Sequence, residues 1–199
     1  MRGMLLMVIL CSAQLLRASQ EMKVTICSIG GVGESVIPTA KAETELVFGS
    51  ADVRMVWRAC DDLPTAPEKD RNSWFIIHLR GDKPPLKAGS SSLDAMGKSF
   101  VLDASGLNVA DAYYRAVQSF SEQHHTDPGV LLGFVIAHEL GHLLLGPGHS
   151  PDGVMQAVWG DKQSDALRQR WLKFSKESTR RIKLALKART GQDSEYADN

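Results

Sequence analysis

The sequence has few residues for covalent cross-links and no excess charge of either sign. Its 199 residues include three cysteines, and 23 Lys and Arg residues are balanced by 23 Asp and Glu residues. No cysteine lies in a CxxC or CxxH pattern, which argues against a cysteine-based metal site. A balanced charge without aromatic residues interleaved among basic ones does not indicate a nucleic-acid partner. We therefore expect no nucleic acid among its ligands.

The apolar run near the N-terminus is too short to cross a bilayer comfortably. The run Met4 to Leu10 is short, follows Arg2 and precedes small residues, which is the pattern of a secretory signal peptide. We predict a signal over residues 1–19, cleaved after about residue 13 to 19, with an uncleaved membrane anchor as the alternative. The prediction is a secreted or periplasmic protein with no membrane span after cleavage.

Signal cleavage would leave Cys27 and Cys60 as the two cysteines of the mature chain. In an exported protein two cysteines often form a bridge, and here the bridge would join the ends of two neighbouring strands. Two buried thiols are the other interpretation. The sequence does not decide between them.

One domain over residues 20–190 accounts for the rest of the chain, followed by an acidic tail over 191–199. Neither an internal repeat nor a second domain is evident. The residue patterns predict an α/β (α+β) fold with a mixed sheet of four or five strands. The predicted strands are 23–29, 52–57, 74–79 and 98–103, the predicted helices are 34–48, 128–145 and about 164–187, and 109–120 fits either a strand or a helix.

His138, Glu139 and His142 form an HExxH pattern within the predicted helix 128–145. Positions i and i+4 share one helix face, so the two histidines can present their imidazoles to a single ion. Glu139 would project beside the metal, where a carboxylate can accept a proton from water. The pattern predicts a zinc-dependent hydrolase.

A catalytic zinc takes three protein ligands, so one more residue is needed beside the two helix histidines. Gly146 can end the helix and reverse the chain, which brings His149 close enough to be that ligand. Met155 follows Gly153 in a plausible tight turn beneath the site.

These features together resemble the metzincin clan of zinc peptidases, in particular bacterial matrixin-like and adamalysin-like proteins. The resemblance implies that His138, His142 and His149 bind Zn²⁺, that Glu139 is the general base, and that Met155 lies in the turn under the metal. It also implies a metzincin-like sheet, an active-site helix and a C-terminal helix. The chain departs from the clan's pattern at one point, because three residues rather than two separate His142 from Gly146.

The prediction is therefore a zinc metalloendopeptidase that acts on a peptide or protein substrate as a monomer. Three alternatives stay open. Glu177 could be the third ligand, as in gluzincin-type peptidases. Zinc could serve a non-catalytic domain, in which case a closed shell of four ligands is expected. Finally, the basic stretch 162–189 would suit an anionic cell-wall substrate of an amidase, although a solvated helix face explains it as well.

Overall fold

The computed structural model describes residues 20–30, 32–65, 74–82, 96–101 and 108–189. The predicted signal peptide and acidic tail lie outside these residues, as does most of the long loop after the third strand. The elements in chain order are β1 Gln20–Ile29, α1 Val36–Gly49, β2 Val53–Arg58, a short 3-10 helix Cys60–Thr65, β3 Trp74–Arg80, β4 Gly97–Val101, β5 Asn108–Tyr113, α2 Tyr114–Gln123, α3 Pro128–Leu145, α4 Asp161–Arg168 and α5 Lys176–Arg189.

The strands form one mixed sheet in the order β2-β1-β3-β5-β4. The pairs β1–β2, β1–β3 and β3–β5 are parallel, and the edge strand β4 is antiparallel to β5. The prediction of a mixed α/β sheet with four or five strands is confirmed, with five strands among the described residues. The ambiguous stretch 109–120 contains both structures, since β5 ends at Tyr113 and α2 begins at Tyr114.

The hydrophobic core lies between one face of this sheet and the helices α1 and α3. Alternate residues of the central strand β3 point into it, because side chains alternate across a strand. Phe75, Ile77 and Leu79 of β3 are all fully buried. Helix α3 passes close to α1 at Gly133, where a side chain would come 2.7 Å from the carbonyl oxygen of Ala40.

Helix α3 is apolar on nearly every side because it runs through the middle of the domain. It is long and apolar enough to cross a membrane by length and composition, and 83% of its most apolar window is buried within the protein. A helix that is hydrophobic all round is typical of a core position. The burial explains its composition without a membrane.

The predicted C-terminal helix 164–187 is wrong as a single element. The structure divides it into α4 and α5, and Arg170 between them adopts a left-handed backbone with φ 55°. Phe174 packs in the core from the connecting segment, with its ring 5.0 Å from that of Phe48. Trp171, which a single continuous helix would place on the same face as Phe174, is instead 73% exposed. The apolar residues of this stretch are therefore divided between two helices and the segment that connects them.

Cys27 and Cys60 form a disulfide, with their Cα atoms 5.4 Å apart. It joins β1 to the 3-10 helix that follows β2, the neighbouring strand. The sequence left open whether these cysteines form a disulfide or stay as buried thiols, and the structure contains the disulfide.

Candidate metal centre

Local signals in the sequence determine where the helix of the candidate site begins and ends. At its N-terminus, Asp127 accepts a hydrogen bond from the Val130 amide at 2.9 Å, and Pro128 occupies the first helical position. At its C-terminus, Gly146 has φ 87° and its amide donates to the His142 carbonyl at 2.9 Å. The predicted bounds of this helix agree with the structure.

His138 and His142 lie one turn apart on α3, with ring centroids 4.5 Å apart. The Nδ1 atom of His138 lies 2.8 Å from the Val154 carbonyl oxygen, and that of His142 lies 3.1 Å from the Gly146 carbonyl oxygen. A carbonyl oxygen can only accept, so each Nδ1 carries the proton and donates it. In the neutral ring the other nitrogen, Nε2, then carries a lone pair.

The two Nε2 atoms face each other at 2.9 Å. Two lone pairs at this distance repel, and a hydrogen bond between them would require an additional proton on one ring. A cation that accepts both lone pairs removes the repulsion. Backbone carbonyls that hold Nδ1–H are also the usual outer partners of metal-binding histidines. The donor set therefore fits a metal ion.

His149 completes a group of three imidazoles despite the additional residue before Gly146. Its ring centroid lies 5.4 Å from that of His138 and 4.8 Å from that of His142. Candidate ligand atoms of the three residues all lie within 4.8 Å of one another. His138 and His142 are buried, whereas His149 is exposed. The group is thus closed on the helix side and open on the side of His149.

The turn predicted around Met155 lies under the two helix histidines. Met155 is buried against Gly141, where any side chain would overlap the methionine sulfur. Gly153 has φ 72°, and its Cα packs so closely on the Lys173 carbonyl that a side chain would overlap it. The next carbonyl, that of Val154, is the one that accepts from His138. The turn therefore orients a histidine as well as supporting the helix.

Glu139 is 4% exposed and lies against the edge strand β4. At Gly97 a side chain would overlap the Glu139 carboxylate. Sequence reasoning missed this contact, because Gly97 stood at the end of a predicted loop. The buried Trp159 ring packs perpendicular to that of His138, with ring centroids 6.0 Å apart. Gly97 and Trp159 therefore both border the candidate metal site.

Glu177, the alternative third ligand from the sequence, is not brought to this group. Glu177 is paired with Arg180 at 2.7 Å on the surface of α5, and this hydrogen bond lowers the pKa of its carboxyl group. The gluzincin-type arrangement with Glu177 as a ligand is therefore not what the structure shows. His124 contacts Asp161 at 3.0 Å, and His78 contacts Asp111 at 3.3 Å.

Much of the basic stretch 162–189, for which the sequence left open either a solvated helix face or a surface for an anionic substrate, forms ion pairs and hydrogen bonds within the protein. Lys183 pairs with Asp52 at 2.5 Å and Arg170 with Glu43 at 2.9 Å. Others donate to side chains or backbone carbonyls, among them Arg168, Arg180, Arg181 and Arg189. A polyanion would compete with these partners for the same cations.

Comparison with known proteins identifies the fold but not a family. No protein-family model matches the chain, and no curated protein matches it. Solved structures do match. One is the crystal structure of archaemetzincin from Methanopyrus kandleri, which is 18% identical, covers 87% of this chain and 99% of its own, and has a TM-score of 0.50. At this identity the likeness establishes the fold alone. The protein has an archaemetzincin-like α/β fold, and assignment to matrixin-like or adamalysin-like proteins stays a prediction.

Proposed function

We propose that the protein is an exported zinc metalloendopeptidase, with His138, His142 and His149 as zinc ligands and Glu139 as general base. The observation that carries this proposal is the pair of Nε2 lone pairs facing each other at 2.9 Å, with the Glu139 carboxylate on the adjacent residue. Three imidazoles are one of the ligand sets that hold zinc in catalytic sites.

Zinc held by these residues would lower the pKa of a water molecule to about 7 and polarise the carbonyl of the scissile bond. Glu139 then accepts the proton of the water at its carboxylate and passes it to the leaving amine. The contact with Gly97 fixes this carboxylate at the edge of the sheet. An extended peptide added to the edge strand β4 would run past the carboxylate, which suits a peptide substrate.

Two further observations support parts of the proposal. His149 is exposed, so the three-ligand group is open to solvent on one side, as a catalytic site requires and a closed structural shell does not. The Cys27–Cys60 disulfide suits an oxidising compartment, which supports export through the signal predicted at residues 1–19.

The test combines metal analysis with a peptide-library cleavage assay on the purified protein. Glu139→Gln should abolish cleavage and keep one zinc per chain, because no ligand is removed. Glu122→Gln, an exposed site on α2, is the matched control and should keep both. Zinc binding without cleavage of any peptide by the parent protein would favour the non-catalytic alternative, and full cleavage by Glu139→Gln would refute the mechanism.

A further inference from the structure

The turn that carries His149 has little packing of its own. From Pro147 to His149 the chain is exposed, and the α-carbons of Gly146 and Gly148 face open space. A third ligand on a free turn would bind metal weakly, because ordering the turn costs conformational entropy. The turn therefore needs contacts from outside.

Helix α5 contacts the beginning of this turn. The Arg181 guanidinium donates from Nη2 to the Leu145 carbonyl oxygen at 2.8 Å. This carbonyl belongs to the last turn of α3, whose carbonyls lack partners within the helix. A cation at this end is also attracted by the helix dipole. Arg181 therefore holds the last residue of α3 immediately before Gly146.

The same helix contacts the end of the turn through hydroxyl groups. Ser178 is 2% exposed, and its Oγ lies 3.0 Å from the Oγ of Ser150, the residue after His149. Ser175 donates to the Ser178 hydroxyl at 3.0 Å, so Ser178 is held on both sides, and either hydroxyl of the Ser150–Ser178 pair can be the donor. The Ser150 amide in turn donates to the Met155 carbonyl at 2.8 Å. The chain of contacts connects α5 to the turn under the metal.

We propose that Ser178 and Arg181 are positioning residues that hold both ends of the turn carrying His149 and so set the affinity for the metal. They are three positions apart on α5, beside the fully buried Ile182, so one face of the helix supplies both contacts. The inference rests on the proposed function, since it takes His149 as a ligand.

The experiment measures the zinc dissociation constant by competition with a chromophoric chelator. Removal of a direct outer partner of a metal ligand weakens binding by about 10- to 100-fold. Ser178 and Arg181 act one contact further out, so we expect about tenfold for the Ser178→Ala, Arg181→Gln double variant and less for each single change. Arg181→Lys should restore most of the affinity, because an ammonium group can still donate to the last carbonyls of a helix.

Arg180→Gln is the matched control on the same helix, because Arg180 pairs with Glu177 and not with the turn. It should leave the zinc dissociation constant unchanged. In cobalt-loaded protein the visible absorption of the double variant should shift from that of the parent, since the third imidazole is less well held. A general loss of stability would not produce this shift in a protein that is still folded.

A double-mutant cycle with His149→Ala tests whether Ser178 and Arg181 act on zinc affinity through His149. Once the third imidazole is gone, the α5 substitutions should have no further effect on zinc affinity. An equal loss in both backgrounds, or no loss in the parent, would overturn the inference and leave the proposed function intact. Failure of the parent protein to bind zinc at all would overturn both.

Discussion

Replacing Gly97 by alanine should disable Glu139, the proposed general base, without removing the proposed zinc ligands. A Cβ atom at this position would lie 2.6 Å from Cδ and 2.7 Å from Cγ of Glu139, whereas ordinary contact begins at 3.4 Å. The carboxylate must therefore move by about 0.8 Å or more. A misplacement of about 1 Å in a catalytic group can lower the rate by about 100-fold. We expect a fall of this size in kcat.

The assay compares kcat and zinc content for Gly97→Ala with those for Gly49→Ala. At Gly49, the last residue of α1, a side chain meets nothing within 4 Å, so this variant should match the parent in both respects. Zinc content should be unchanged in Gly97→Ala, because the side chain that would be displaced is not a proposed ligand. An unchanged kcat would show that β4 moves instead of the carboxylate, and loss of zinc in step with activity would show that Glu139 was not the group affected. Either result refutes the reasoning.

Three further predictions concern stability. Replacing both Cys27 and Cys60 by serine should lower the free energy of unfolding by about 3–4 kcal/mol in urea denaturation, since the closed loop spans 33 residues; a change below about 1 kcal/mol would contradict this. Arg189→Met should lower the free energy of unfolding by about 2 kcal/mol in the same assay, because the guanidinium donates hydrogen bonds at 2.8 Å to the Leu143 carbonyl and to the Asn108 side chain, and the variant loses both. Burial lowers the pKa of Arg189, which shows that burying its charge has a cost. A variant more stable than the parent would show that this cost exceeds the gain from the two hydrogen bonds. Burial, followed by the nearby charge of Asp111, raises the pKa of Tyr113 above its ordinary value of 10.0. Its contribution to stability is therefore present below about pH 10 and lost as the pH rises through the raised pKa. The free energy of unfolding should fall above pH 10, and Tyr113→Phe should make this fall smaller; an identical pH profile would show that Tyr113 does not contribute.

The bounds of helix α3 could be predicted from the sequence to the residue because the ends of this helix depend on local chemistry. Asp127 and Pro128 start it and Gly146 stops it, each through groups within four positions along the chain. The convergence of His138 and His142 follows from helix geometry in the same way. His149 could be proposed as a third ligand because a glycine turn lies directly before it.

Other features depend on contacts between distant segments, and the sequence did not reveal them. The packing of Gly97 on Glu139 joins positions 42 residues apart, and no local pattern marks it. The last predicted helix is divided at Arg170, and Phe174 packs on Phe48 in the core from the segment that connects the two helices. There the spacing of apolar residues matched a helix by coincidence, and tertiary packing decided the structure.

The X-ray absorption spectrum of the protein loaded with one equivalent of zinc tests the central claim most directly. The account predicts three imidazole nitrogens at about 2.0–2.1 Å, no sulfur, and one further light atom in the zinc shell. His149→Ala should lower the imidazole count to two. A shell with only two imidazoles in the parent protein, or an identical spectrum after His149→Ala, would contradict the three-histidine centre on which the proposed function depends.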